Sequence, residues 1–140
     1  MRYLLPFDVI KGPVQLSTGT GQVTATMAYE MLLELIKGLL SQVVVDEDWY
    51  LSQYPDVAAA IAQGKTTSAT QHFIDNGYFD NRLPFSISVN EMWYLANYPD
   101  VAASVRNGTE SSAQAHFIRS GYREGRRPFP IPNDRGRPRA

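Results

Sequence analysis

A segment of 41 residues occurs twice in this chain, and the duplication limits the folds that the chain can adopt. Shifting the sequence by 44 residues aligns 45–85 with 89–129 without a gap, and 22 of the 41 aligned positions are identical. The first copy reads VDEDWYLSQYPDVAAAIAQGKTTSATQHFIDNGYFDNRLPF, and the second reads VNEMWYLANYPDVAASVRNGTESSAQAHFIRSGYREGRRPF. A repeat of about forty residues is typical of a supersecondary unit that packs on its neighbour, so one fold should serve both copies.

Prolines and glycines divide each copy into short helices, so the chain is predicted to be mostly α. In the first copy, acidic residues open a helix expected over residues 46–53, where the helix dipole favours them. This helix should stop at Tyr54, because the residue before a proline avoids helical geometry. Pro55 suits the first turn of a second helix over residues 55–63, and Gly64 can adopt the left-handed cap that closes it.

A third helix is predicted between a hydroxyl cap and a glycine. Thr67 or Ser68 can cap its start, and it should run through Asn76 to a left-handed Gly77. Tyr78 is expected to pack back on the last turn. The second copy repeats this punctuation at Pro99, Gly108, Ser112 and Gly121. The sequence therefore predicts two tandem three-helix repeats.

Bulky aromatic residues recur at fixed places in both copies. They are Trp49, Tyr50, Tyr54, Phe73 and Phe85 in the first copy and Trp93, Tyr94, Tyr98, Phe117 and Phe129 in the second. Opposite an alanine-rich second helix, such side chains are expected to fill the core of a small helical unit. The alternative is a platform that stacks sugars or bases, formed by exposed members such as Trp49 and Trp93.

The shared pattern resembles a known bacterial repeat. Tyr-Leu-x-x-Tyr-Pro-Asp-Val-Ala-Ala is followed by His-Phe-Ile-x-x-Gly-Tyr and by Glu-Gly-Arg-x-Pro, with Asp80 and Asn81 replacing Glu-Gly in the first copy. It is similar to a short repeat of surface-associated and polysaccharide-related proteins, where it often accompanies glycosyltransferase or calcium-binding repeat modules. The resemblance covers residues 45–129. It implies a polysaccharide or cell-envelope context and assigns no catalytic activity.

Residues 1–44 have a different character, which makes the predicted fold class α+β. Residues 3–10, 14–17 and 22–26 are β-branched or aromatic segments divided by turn residues, so three strands are expected, and two of them could be joined as a hairpin. An amphipathic helix should follow over residues 27–42. Such a small element should either pack on the repeats or mediate association between copies of the chain, and oligomerisation is favoured.

Composition narrows the function classes. The chain has no cysteine, which excludes thiolate catalysis and cysteine-based zinc sites. Its formal net charge of −1 gives no reason to expect nucleic acid. The N-terminus lacks the apolar core of a secretory signal, and charged residues interrupt the most apolar stretch, so no membrane span is expected. A cytoplasmic location is the default, and export without a classical signal or attachment to the cell surface stays open.

The candidate ligand or interface positions are the repeated polar and aromatic residues. They are Trp49, Tyr50, His72, Arg82, Trp93, Tyr94, His116 and Arg126. A duplicated histidine could be a metal ligand or a general base, but neither has a second histidine at helical ligand spacing. A hydrogen bond within each unit is the simpler interpretation. Arg82 is expected to pair with Asp56, and Arg126 with Asp100, which would join the loop after the third helix to the start of the second. Binding of a substrate or phosphate by these arginines is the alternative.

No cofactor, metal or catalytic site is predicted. Residues 19–21, Gly-Thr-Gly, are not followed at once by a helix, as a phosphate loop requires, and are interpreted as a hairpin turn. Acidic residues cluster in the first copy at Asp46, Glu47, Asp48, Asp75 and Asp80. They lack EF-hand spacing, and the second copy replaces several of them, so a solvated acidic face is expected.

The two halves of the repeat region differ in charge. Residues 45–85 carry six acids against two bases, giving −4, whereas residues 86–140 carry eight arginines against five acids, giving +3. This favours head-to-tail contact between copies of the chain. Residues 130–140 should be a disordered basic tail.

The sequence thus predicts a non-catalytic, self-assembling scaffold or protein-interaction protein of bacterial origin. Its expected partners are other copies of itself, with another protein or a polysaccharide as further candidates. The alternative is a carbohydrate-binding module associated with envelope polysaccharide.

Overall fold

The computed structural model describes residues 6–132, and this part is mostly helical with one small antiparallel sheet. The predicted basic tail at 130–140 lies almost entirely outside the described residues. The helices and the small sheet confirm the predicted α+β, mostly α, character of the described chain, although the N-terminal elements differ from the prediction.

The N-terminal unit, residues 6–44, contains two strands where three were expected. Helix α1 spans Phe7–Lys11 and occupies the end of the first predicted strand. That prediction is wrong over residues 7–10, and residues 3–5 lie outside the described part. Local helix signals outweigh the apolar pattern here, because an extended Pro6 precedes the helix, Asp8 lies in its first turn and Lys11 in its last.

The other two strands form an antiparallel hairpin. Strand β1, Gln15–Ser17, pairs with β2, Thr24–Thr26, and Leu16 lies opposite Ala25. A 3-10 turn over Gly19–Gly21 lies in the connection, so the Gly-Thr-Gly segment belongs to the hairpin loop, as predicted.

Helix α2, Tyr29–Leu40, follows the hairpin and begins two residues later than predicted, because Ala28 is still extended. Leu40 is buried, and Ile36 packs against the same cluster as a partly buried neighbour. One side of α2 thereby joins the core of the first copy.

The first copy begins with helices α3, Glu47–Gln53, and α4, Pro55–Ala62. The Asp46 carboxylate caps α3 by accepting from the Trp49 N–H at 3.0 Å. Pro55 occupies the first turn of α4, and Gly64 has a left-handed φ of 70° after its end.

Helix α5, Ala69–His72, is capped by Ser68 and continues directly as a π-helical turn, Phe73–Gly77. The left-handed cap expected at Gly77 is instead formed four residues later by Asn81, whose φ is 58°. The Arg82 N–H donates to the Gly77 carbonyl at 2.8 Å and the Asn81 N–H to the Tyr78 carbonyl at 3.0 Å. These two bonds define a Schellman ending. Tyr78 does pack back, edge-on to Phe73.

The second copy has the same helices in the same order. They are α6, Glu91–Asn97, α7, Pro99–Arg106, and α8, Ala113–His116, with a π-helical turn over Phe117–Gly121. Gly125, with a φ of 74°, stands where the first copy has Asn81.

Each copy has its own packed core, and two residues of the first copy contribute to the second core. The buried residues at the centre of the first copy are Tyr50, Val57, Ala69 and Phe73, and those at the centre of the second are Tyr94, Val101, Ala113 and Phe117. Leu83 is buried in the second core, and Trp49 packs against both. The copies are therefore joined by apolar contacts at one junction.

Candidate functional site

A buried tyrosine and a histidine form the central polar pair of each copy, and the histidine is half-buried in the first copy and buried in the second. Tyr50 on α3 has no exposed surface, and its hydroxyl lies 3.0 Å from Nδ1 of His72 on α5. In the second copy, Tyr94 and His116 repeat the pair at the same distance. The hydrogen bond predicted for each histidine within its own unit is confirmed.

The electrostatics of this pair favour two neutral groups. Burial raises the pKa of Tyr50 to about 12, and the same cause raises that of Tyr94 to about 12. Burial, followed by repulsion from Arg82, lowers the pKa of His72. A neutral tyrosine beside a neutral histidine can hold two helices together, but its hydroxyl is closed off from solvent by the core.

A glycine explains how the tyrosine hydroxyl fits. A Cβ atom built on Gly77 would collide with the Tyr50 hydroxyl, and one built on Gly121 would collide with that of Tyr94. These glycines are needed for close approach and not for a left-handed φ. The pattern Tyr…His…Gly recurs 44 residues apart, and this recurrence was the only signal in the sequence that linked the three residues.

The predicted arginine–aspartate pairs are confirmed in both copies. Arg82 donates to both carboxylate oxygens of Asp56 at 3.0 and 2.8 Å, and its guanidinium lies 4.9 Å from the centre of the Tyr54 ring. The Tyr54 hydroxyl in turn accepts from the Leu83 N–H at 3.0 Å. This cluster ties the segment after the π-helical turn to the first turn of α4.

The second arginine has one more carboxylate partner than the first. Arg126 donates to Asp100 at 2.9 and 2.6 Å, and its Nε donates to Glu124 at 2.5 Å. The hydrogen bonds from Arg126 lower the pKa of Asp100 to about 2. Because the Asp100 side chain is 63% exposed, water screens much of this attraction.

The two tryptophans have different surroundings. Trp49 is partly buried between the two cores, whereas Trp93 packs only against the second core. Each lies edge-on to a tyrosine of its own copy, Tyr54 or Tyr98, at about the same distance. The use of these rings as a sugar platform stays a prediction.

Two glutamates have a role that the sequence analysis missed. Glu47 accepts from the backbone N–H and the hydroxyl of Thr70 at the start of α5. Glu91 accepts from the N–H groups of Ala113 and Gln114 at the start of α8. Both carboxylates cap the third helix of their copy from the first. The sequence shows that both copies have a glutamate at this position, but it does not show which helix each glutamate would cap.

The N-terminal unit exposes most of its apolar side chains. Between residues 6 and 44, Leu40 alone is buried. Its exposed large apolar residues are Phe7, Val9, Leu16, Val23, Tyr29, Met31, Leu32, Leu39 and Val44. We call the group of Met31, Leu32 and Leu39 the outer face of α2. It lies next to the stripe that packs on the first copy, so the apolar surface of α2 is wider than its intramolecular contact.

Neither metal ligands nor membrane-spanning features appear among the described residues. In residues 6–132, no three His, Cys, Asp or Glu side chains come together as a metal site. None of the helices in the same range is both long and apolar enough to cross a membrane. Comparison with protein-family models, curated proteins and solved structures finds no match to this chain.

Proposed function

We propose that the protein is a non-catalytic, self-associating interaction protein whose copies join through the N-terminal unit. The observation that carries this proposal is the lack of a core in that unit, where only Leu40 is buried over residues 6–44. A two-stranded hairpin is marginal in water unless its apolar face is covered. A contiguous exposed apolar surface is also a common mark of a protein interface.

A second copy of the chain is the occupant that fits this surface. The described N-terminal unit carries three acids and two lysines, a net charge of −1, so two such units would repel each other only weakly. Two identical apolar faces can cover each other in a closed two-fold contact, in which each copy contributes the same patch.

The opposite end of the molecule is less suited to association. Leu83 is 2% exposed because the second copy covers it, whereas the matching residue of the second copy is Arg127. A charged residue at this position suits exposure to water better than a leucine does. This difference favours contact between N-terminal units over the head-to-tail contact that the charge distribution suggested.

The polar groups of the repeats also favour a structural role. Both tyrosines are buried and each is hydrogen-bonded to its histidine, and the arginine–aspartate pairs hold segments of the same copy together. Nucleophilic or acid–base catalysis requires a group that can reach a substrate. The repeats are therefore proposed to be compact supports that present the N-terminal unit.

The proposal is tested by placing charge on the outer face of α2. We expect Leu32→Glu with Leu39→Glu to convert an associated protein into a monomer in size-exclusion chromatography with light scattering. Both side chains are exposed, so the fold should persist, which helical circular dichroism can check.

Met92→Glu is the matched control. Met92 is 85% exposed on α6, and the first copy already has an acid, Asp48, at the matching position. This variant should keep the wild-type mass. Equal masses for the wild type and the double variant would contradict the proposal.

A further inference from the structure

A cleft lies between the two copies on the side of the arginine–aspartate cluster of the first. Its volume is about 340 Å³, which falls in the range of small-molecule sites. The first copy lines it with Gln53, Tyr54, Pro55, Asp56, Asn81 and Arg82, and the second copy with Ile118, Arg119 and Arg123.

The charge lining this cleft is unbalanced. Three guanidinium groups face it against one carboxylate, Asp56. Asp56 is engaged by Arg82, and Arg119 pairs with Glu110, whose side chain is buried. Arg123 donates only a long bond, 3.5 Å, to the Asp80 carbonyl oxygen, and no carboxylate of residues 6–132 forms an ion pair with it.

The second copy provides an internal comparison for Arg82. Arg126 directs all three of its nitrogen atoms to carboxylates, because Glu124 reaches its Nε. The first copy has Asp80 in place of Glu124, one methylene shorter, and within the described chain its carboxylate does not bond Arg82. Within the described chain, Nε of Arg82 therefore lacks the carboxylate partner that Nε of Arg126 has, and Arg82 is one of the residues that line the cleft.

The two additional arginines are specific to the second copy. Arg119 and Arg123 match Asp75 and Phe79 of the first copy, where Phe79 packs against the apolar core. Where the first copy has an acid and an apolar ring, the second copy thus has two arginines, and both line the cleft. Apolar filling would serve a purely structural junction better than a hydrated cationic cleft.

We propose that this cleft binds a small ligand through a carboxylate or phosphate group, with Arg123 and Nε of Arg82 as the charged donors. Guanidinium groups bind both kinds of oxyanion with planar, directional hydrogen bonds. The side-chain amides of Gln53 and Asn81 supply neutral donors at the rim. This site is independent of self-association through the N-terminal unit.

The test uses the full chain and two simple probes, inorganic phosphate and succinate, at constant ionic strength maintained with sodium chloride. We expect saturable shifts of the Nε–Hε NMR signals of Arg82 and Arg123 with at least one probe. Saturation by phosphate alone would identify a phosphoryl ligand, and saturation by succinate alone a carboxylate ligand. Shifts that stay linear with both probes would overturn the proposal.

Three variants make the test specific to the cleft. Arg123→Gln removes a charged donor and should weaken binding about tenfold or more. Asp80→Glu should also weaken it, because the longer side chain can occupy Nε of Arg82 as Glu124 does in the second copy. Arg106→Gln makes the same charge change on an exposed turn of α7 and should bind as the wild type does. Wild-type affinity in Arg123→Gln would refute the site.

Discussion

At the scale of single residues, each copy depends on the close fit of a hydroxyl against a glycine. Tyr50 on α3 is fully buried against His72 and Phe73, and its oxygen occupies the space that a side chain at Gly77 would need. Protein interiors are packed closely enough that even one added methyl group is felt.

We expect Gly77→Ala to lower the free energy of unfolding by about 1–3 kcal/mol, as overpacked core substitutions do. Gly38→Ala is the control, because Gly38 lies in α2 with open space around its Cα and should gain stability from helix propensity. Urea denaturation measures both changes.

The cause can be isolated with Tyr50→Phe, which removes the colliding oxygen. In that background, Gly77→Ala should cost less than it does in the wild type. An unchanged cost would show that the hydroxyl is not the obstacle, and the explanation from close approach would then fail.

The lowered histidine pKa values predict a specific pH dependence. Burial lowers the pKa of His72 and of His116 below the ordinary 6.5 in the folded chain. As the pH falls below about 6.5, the unfolded chain binds these protons first, so stability decreases from there down through the folded-state pKa values. The free energy of unfolding should be lower at about pH 5 than at about pH 7.

A double variant, His72→Gln with His116→Gln, checks this assignment. Its stability should change less than that of the wild type over the same interval. The carboxylates with lowered pKa values, Glu47, Asp56 and Asp100, titrate at lower pH and leave this window largely to the histidines. An equal pH dependence in the variant and the wild type would assign the effect to other groups.

At the scale of elements, the prolines and hydroxyl residues predicted the helix starts of the repeats well, but the glycines misplaced the end of the third helix in both copies. Pro55 and Ser68 begin helices as expected, because each acts through its own backbone or its nearest N–H groups. Gly77 was misinterpreted because a glycine can serve either a left-handed turn or a close contact, and the sequence does not distinguish them. The contact comes from Tyr50, 27 residues earlier.

The residues that form the left-handed caps, Asn81 and Gly125, predict opposite effects of substitution on stability. Asn81 holds a left-handed conformation that glycine adopts without steric cost. Asn81→Gly should therefore raise the midpoint of thermal unfolding slightly, whereas Gly125→Ala should lower the stability by about 1 kcal/mol. Calorimetry of the two variants decides the point, and a destabilised Asn81→Gly would mean that its side chain has a role beyond the cap.

The N-terminal elements were predicted only in part. The hairpin and α2 were predicted because turn residues and apolar periodicity are local signals. The strand predicted over residues 3–10 was wrong at residues 7–10, which are helical. An apolar stretch this short suits either a strand or a helix, so its sequence does not decide between them. The cleft between the copies could not be predicted, since it depends on how one unit packs against the next.

At the scale of the whole molecule, the two ends differ in what they present to solvent. Leu83 of the first copy is buried by the second copy, whereas the matching residue of the second copy is Arg127. At the other end, α2 packs on the first copy through Ile36 and Leu40 and exposes Met31, Leu32 and Leu39 beside this contact. We therefore place self-association at the N-terminal unit.

The native mass of the purified full chain tests this account most directly. Light scattering on the size-exclusion peak should give at least twice the chain mass of 15.7 kDa, at low and at high salt, because an apolar contact resists screening. An assembly that dissociates in high salt would indicate the charged head-to-tail contact instead. A mass of one chain in both conditions, at every concentration measured, would contradict the proposed function.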